Sequence, residues 1–142
     1  MLNGAGIAAL IPHQGRMCLL DRVDWWDAAG IRCSTAAHRD PLNPLRRQGR
    51  LSAICTVELA LQAMALHGAL RAEGPQPQGF VTSLRDVLVA EPLADDLPGL
   101  LQIEAALLAA ESRGHIYRFT ITADGRPVVS GQAAIHVPES QA

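Results

Sequence analysis

From Leu51 to Ala72 runs a helical stretch that is almost wholly apolar and carries one acid, Glu58. At helical spacing Leu51, Ile54, Cys55, Val57, Leu59, Leu61, Met64, Ala65 and Leu66 leave no broad polar face, which marks a helix enclosed by other structure. A chain with such a helix must supply enough sheet or helix to cover it. Glu58 and Gln62, four positions apart, share one stripe, while Ser52, Thr56 and His67 fall near one another elsewhere on the wheel. Glu58 is therefore expected to be partly buried. Burying an ionised carboxylate unpaired is costly, so it must gather donors, raise its pKa and hold a proton, or sit at a wet cleft. The residues alone leave it either an active-site acid or a satisfied structural carboxyl.

The 142 residues, 49% of them hydrophobic, can enclose one respectable core but hardly two, so a single domain over 1–142 is expected. A net charge of -2 speaks against a bulk electrostatic grip on nucleic acid. All 12 basic residues are arginine. Without lysine there is no Schiff-base catalysis, no cofactor aldimine and no lysine-bearing phosphate loop. Cys18, Cys33 and Cys55 are too far apart for paired metal ligands and too few for a disulfide framework, so reduced structural thiols and no metal are expected. Met1 to Ile11 has no basic lead, and Pro12 closes it before a signal peptide or membrane span accumulates. A cytoplasmic protein without membrane insertion is the expectation. Gly4, Gly6 and Ala9 mimic a dinucleotide-binding turn, but no strand precedes them, and a short capping helix fits better.

Met17 to Trp26 is apolar and β-prone, and Ala28-Ala29-Gly30 turns it into Ile31 to Ala37, a hairpin. His38 to Arg50, rich in proline and arginine, crosses the surface as a loop before the long helix. Gly74, Pro75 and Pro77 stop the helix, and Gly79 to Ala90 forms the next strand. Leu100 to Ala110 and Ile116 to Thr122 are the arms of another hairpin. Arg126 to Val137 follows an Asp124-Gly125 turn as an edge or penultimate strand. Short helix, two strands, long buried helix and four strands call for an α+β chain whose antiparallel sheet wraps one central helix, the hot-dog architecture.

Ile11-Pro12-His13, followed by Met17-Cys18-Leu19-Leu20-Asp21-Arg22-Val23, resembles the opening of the 3-hydroxyacyl-acyl carrier protein dehydratases. Val57-Glu58-Leu59-Ala60-Leu61-Gln62-Ala63 is similar to the acid-bearing helix segment of the same family. More closely, His38-Arg39-Asp40-Pro41, Asn43-Pro44-Leu45-Arg46 and Gly49-Arg50-Leu51, leading to Glu58, resemble its ApeP-like branch, which is associated with aryl polyene synthesis. The resemblance runs in outline from Ile11 to Val137. The His-Phe-Pro motif of the better-known dehydratases is absent, and an ungapped alignment puts Pro44 where their catalytic histidine stands.

The resemblance implies a catalytic acid, Glu58, working with a histidine base. His38, chosen by position rather than by a motif match because it ends a predicted strand at the mouth of the helix and could swing toward Glu58, is expected to be the neutral base that takes the C2 proton of a 3-hydroxyacyl thioester; the alternative is an exposed strand-end residue or loop cap. Glu58 is expected to hold a proton, to give it to the departing hydroxyl and so to leave a trans-2-enoyl thioester. Backbone N–H groups from Gly49 to Ser52, at the expected helix start, would receive the enolate-like charge. Arg39, Arg46, Arg47 and Arg50 would guide the phosphate of a phosphopantetheine arm or the acidic face of acyl carrier protein, although solubility explains them equally well. The arm carries the substrate, and no separate cofactor is implied. His13 is the reserve histidine and looks structural in the family; His67, His115 and His136 carry no comparable argument. Trp25 and Trp26 should divide between core and interface. The family pattern also implies a homodimer, or a heterodimer with a related hot-dog subunit, in which histidine and glutamate meet across the interface beside an acyl tunnel. A hot-dog thioesterase and a non-catalytic partner subunit are the alternatives.

Overall fold

A computed structural model describes residues 2–11, 17–77 and 79–138. Its sheet grows from alternation: in Leu101–Ala110, Leu101, Ile103 and Ala105 are buried while Gln102, Glu104 and Ala106 are exposed. The next strand repeats the pattern with Tyr117, Phe119 and Ile121 inward. In chain order the elements are α1 (Gly4–Ala8), β1 (Arg22–Asp27), β2 (Gly30–Thr35), α2 (Val57–Arg71), β3 (Phe80–Val89), β4 (Leu101–Ala110), β5 (Gly114–Ala123) and β6 (Arg126–His136). The strands lie in the order β1-β2-β4-β5-β6-β3, every neighbouring pair antiparallel. Helix α2 packs on β2, β4 and β5 and carries the chain across the sheet to its far edge, where β3 begins. This is the expected hot-dog arrangement. The stretch Ala53–Arg71 has the length and hydropathy of a bilayer span, yet Leu59, Ala60, Ala63, Met64 and Leu66 are buried inside the molecule.

Turn chemistry closes the hairpins. The Asp27 carboxylate accepts from the amides of Ala29 at 2.8 Å and Gly30 at 3.0 Å, and so bends β1 into β2. At the β5–β6 turn both Asp124 (φ 49°) and Gly125 (φ 78°) are left-handed, the conformation that a two-residue hairpin loop requires.

Three expected elements differ in detail. β1 begins at Arg22 rather than Met17, because the main chain of Met17 and Leu19 bonds to the Gln62 and Thr35 side chains instead of a ladder. β2 ends at Thr35, whose hydroxyl accepts the amide of Ala37 at 3.0 Å and turns the chain into a single 3-10 turn, Ala37–Arg39. Leu51 and Ser52 do not open the long helix. They form a bridge with the segment around Leu93, Ala53–Thr56 is a 3-10 turn, and regular helix starts at Val57. The β-branched Ile54, Thr56 and Val57 favour that delay. Trp25 and Trp26 also depart from expectation: a bulge between Val23 and Trp25 upsets the alternation, and the two side chains are 48% and 37% exposed, so neither enters the core.

Candidate active site

Gln62 organises the beginning of the site. Fully buried, it accepts the Leu19 amide at 2.9 Å through Oε1 and donates through Nε2 to the Met17 carbonyl at 2.6 Å and to Glu58 Oε1 at 3.3 Å. The pairing four residues apart, expected from the helical wheel, thus exists and fixes one carboxylate oxygen of the half-buried Glu58.

Glu58 opens a groove of about 460 Å³ between α2 and the strands. Its helix wall is a stripe at alternating spacings of three and four residues: Glu58, Leu61, Ala65, Gly68 and Ala72. Met64 lines it too, and Val81, Ile135 and Val137 form the opposite apolar wall. At the far end stand Arg71, Gln76 and His115. A space walled by aliphatic side chains with one carboxyl at one end suits an acyl chain whose reacting carbons lie beside an acid or base.

Tyr117 also lines this groove, and its hydroxyl meets Nδ1 of the buried His67 at 2.7 Å. His67 Nε2 lies 2.7 Å from the Asp27 carbonyl, which can only accept. Nε2 therefore carries the proton, Nδ1 is bare, and the tyrosine donates to it. Burial lowers the His67 pKa and raises that of Tyr117 to about 12, so both stay neutral near pH 7. Sequence reasoning passed over this pair; His67 lies on an enclosed helix, but nothing local announces its partner on β5.

His38 sits elsewhere. It is fully buried in the Ala37–Arg39 turn, with Nε2 3.0 Å from the Leu97 carbonyl. The same logic puts the proton on Nε2 and leaves Nδ1 as a bare lone pair, and that atom has no partner among the described residues. Burial foremost lowers its pKa, which keeps the imidazole neutral. The freedom to swing expected from the sequence is not there, because the ring is held on Leu97. Within one chain His38 neither bonds to Glu58 nor lines the groove that Glu58 opens. His13 lies outside the described residues.

The arginine loop is largely self-engaged. Arg46 donates to three carbonyls, those of Asp40 at 2.9 Å, Gly49 at 2.7 Å and His38 at 3.1 Å, and so braces the His38 turn. Arg47 donates to the carbonyls of Pro44 and Arg46. Arg50 pairs with Asp95 at 2.8 Å. Asp95 also accepts the Leu51 amide at 2.9 Å, and that bond above all holds its pKa below the usual carboxylate value. The amides of Arg50, Leu51 and Ala53 are thus already spent, on Arg47, Asp95 and Pro92. Because regular helix begins only at Val57, the expectation of open donors from Gly49 to Ser52 fails for Arg50 and Leu51. Gly49 keeps a turn role, with φ 77°.

The family model described as ApeP-like, ApeP dehydratase, matches residues 5–142. The chain belongs to the ApeP-like dehydratase family. Membership makes it an enzyme, a dehydratase. Among solved structures this ApeP-like chain is similar to one from the dehydratase heterocomplex ApeI:P of Xenorhabdus doucetiae, with a TM-score of 0.83, 23% identity and coverage of 94% of this chain and 91% of that one. It is also similar to a hypothetical thioesterase of Streptococcus pneumoniae determined with coenzyme A (TM-score 0.61, 13% identity, covering 85% and 88%). A mutant thioesterase of Pseudomonas aeruginosa is likewise similar (TM-score 0.59, 17% identity, covering 83% and 81%). At these identities the structural likenesses speak for the hot-dog fold. No curated protein matches the sequence.

Proposed function

We infer that this dehydratase removes water from a 3-hydroxyacyl thioester carried on the phosphopantetheine arm of acyl carrier protein, giving a trans-2-enoyl thioester in an aryl polyene or fatty-acid-like synthesis. The observation that carries the reading is the aliphatic groove with Glu58 as the carboxyl at one end. Glu58, steadied by Gln62, gives its proton to the departing C3 hydroxyl. The base is a neutral imidazole. His38 has the required form, with Nε2–H anchored on Leu97 and an unshared pair on Nδ1, and an unsatisfied buried nitrogen of that kind calls for a functional explanation.

Since one chain does not bring these groups together, the working site is completed across a subunit boundary, as in a homodimer or a heterodimer with a related hot-dog chain. Strand β3 offers the surface: at the sheet edge it leaves Phe80, Val81, Leu84, Leu88 and Val89 between 43% and 70% exposed. The heterocomplex ApeI:P supports the second arrangement. Arg39, Arg46 and Arg47, which have no carboxylate partner among the described residues, supply positive charge for the acidic carrier protein.

The test is Glu58→Gln in the assembled protein, followed by enoyl thioester formation. Dehydration is lost while assembly persists; full activity in this variant rejects the assignment. The thioesterase likenesses favour a second reading in which the same carboxyl activates water. Free thiol released without enoyl product decides for it.

A further inference from the structure

The end of the groove remote from Glu58 is chemically distinct from its walls. Arg71 occupies the last turn of α2, and its side chain lines the groove together with His115 at the beginning of β5. A cation there complements the helix dipole, but that does not account for its presence in the groove wall. None of the ion pairs among the described residues includes Arg71. Arg71 shares the groove lining with His115 and Tyr117, and, behind the larger effect of burial, its charge acts to lower the pKa of His115, His67 and Tyr117 alike. His115 also borders a second depression of about 370 Å³ that shares Gln76, Pro77 and Val137 with the groove, so this end is open to polar ligand atoms.

We propose that Arg71 and His115 recognise the far end of the acyl chain and select chains that terminate in a hydrogen-bond-accepting oxygen group, a carboxylate being the strongest case. The proposal rests on Glu58 marking the reacting end of the groove, as inferred above. From Glu58 to Arg71 the helix rises about 20 Å at 1.5 Å per residue. An extended chain advances about 1.2 Å per bond, given about 3.5 Å for the three bonds of a residue, so the span holds about sixteen bonds. The arm of the carrier is the competing occupant, with its phosphate on Arg71. It fits the walls badly. Between the two ends the helix offers Leu61, Met64, Ala65 and Gly68, and the Tyr117 hydroxyl proton is committed to His67. The arm's amides would be stranded there without hydrogen-bond partners, whereas a hydrocarbon chain is at home.

The test compares 3-hydroxyacyl thioesters of equal length, one ending in methyl and one in a carboxylate, each on pantetheine with and without its phosphate, using the protein in its assembled form. The carboxylate-ended chain is turned over with kcat/KM about ten-fold higher, the scale of a charge-assisted hydrogen bond. Arg71→Met erases that advantage, so that the ratio of kcat/KM between the carboxylate-ended and methyl-ended chains falls from about ten to about one. Equal losses on both chains overturn the proposal, as does a loss that depends on the phosphate, which assigns Arg71 to the arm. A second measurement needs no turnover: NMR titration of the His115 ring with a long-chain fatty carboxylate, against the alkyl amine of equal length. The carboxylate raises the His115 pKa and the amine does not; no shift with either overturns the site. Should no thioester be dehydrated while the carboxylate still moves His115, the dehydration reading fails and the recognition site stands.

Discussion

Replacing Gln62 by leucine keeps the side-chain bulk while removing the bonds that tie α2 to the segment before β1. The Leu19 amide, now 2.9 Å from Oε1, and the Met17 carbonyl, now 2.6 Å from Nε2, lose their partner beside a fully buried position. Stranding a buried polar group costs about 1–3 kcal/mol, so the pair loses about 2–6 kcal/mol of stability. With a urea dependence of about 2 kcal/mol per molar for a chain of this size, the unfolding midpoint falls by about 1–3 M. Urea titration followed by circular dichroism, at one fixed protein concentration because assembly adds its own stability, measures this directly. A midpoint displaced by less than about 0.3 M refutes the reasoning, since it would mean that water satisfies both groups at no cost. Gln62→Glu sharpens the test. It keeps an acceptor for Leu19 but turns a carboxylate oxygen on the Met17 carbonyl and on Glu58, so it destabilises more at pH 7 than at pH 4, where protonation restores a donor.

A Cβ at Gly68 meets nothing within 4 Å, so Gly68→Ala should raise stability by about 0.8–1 kcal/mol in a helix interior, read as a rise in Tm of about 2–4 °C; Gly68→Leu should instead narrow the groove and depress turnover of long chains more than short ones. Burial lowers the pKa of both His38 and His67, so the unfolded chain takes up protons at a higher pH than the folded one. Folding free energy therefore declines as pH drops below about 6.5, and His67→Phe should make that decline shallower in denaturation measured at several pH values; an unchanged slope argues against it. Leu88, 70% exposed on β3, should be dispensable to the isolated fold but not to assembly. Leu88→Asp should give a folded protein of lower mass by light scattering, and an unaltered mass would remove β3 from the interface.

The architecture was legible because its signals are local. The apolar run without a polar face demanded an enclosing sheet, Asp124-Gly125 announced a hairpin, and the spacing of Glu58 and Gln62 announced their bond. What escaped depended on groups distant in sequence. Met17 to Leu20 has strand composition, yet its hydrogen bonds go to Gln62 and Thr35. Leu51 and Ser52 read as helix but are held by the segment around Leu93. Arg46 read as a ligand for phosphate, whereas its donors serve the loop itself, and no local pattern distinguishes the two uses. His67 and Tyr117 become a pair only once β5 lies under α2. Glu58 was recognisable as a partly buried carboxyl on the enclosed helix, while the company it keeps at the other end of the groove, Arg71 and His115, is a product of tertiary structure alone.

The outer edge of the sheet is bent twice: β3 slips register against β6 between Val81 and Ser83 and again between Arg85 and Leu88, where Asp86 takes a positive φ of 54°. A straight edge with such greasy side chains would zip onto almost any extended peptide and seed fibrils. Each kink interrupts the row of amides and carbonyls that a newcomer would need, so only a surface with matching bends can seat along its full length. On the assembly surface proposed above, such irregularity would act as a filter, leaving an apolar edge that is not indiscriminately sticky.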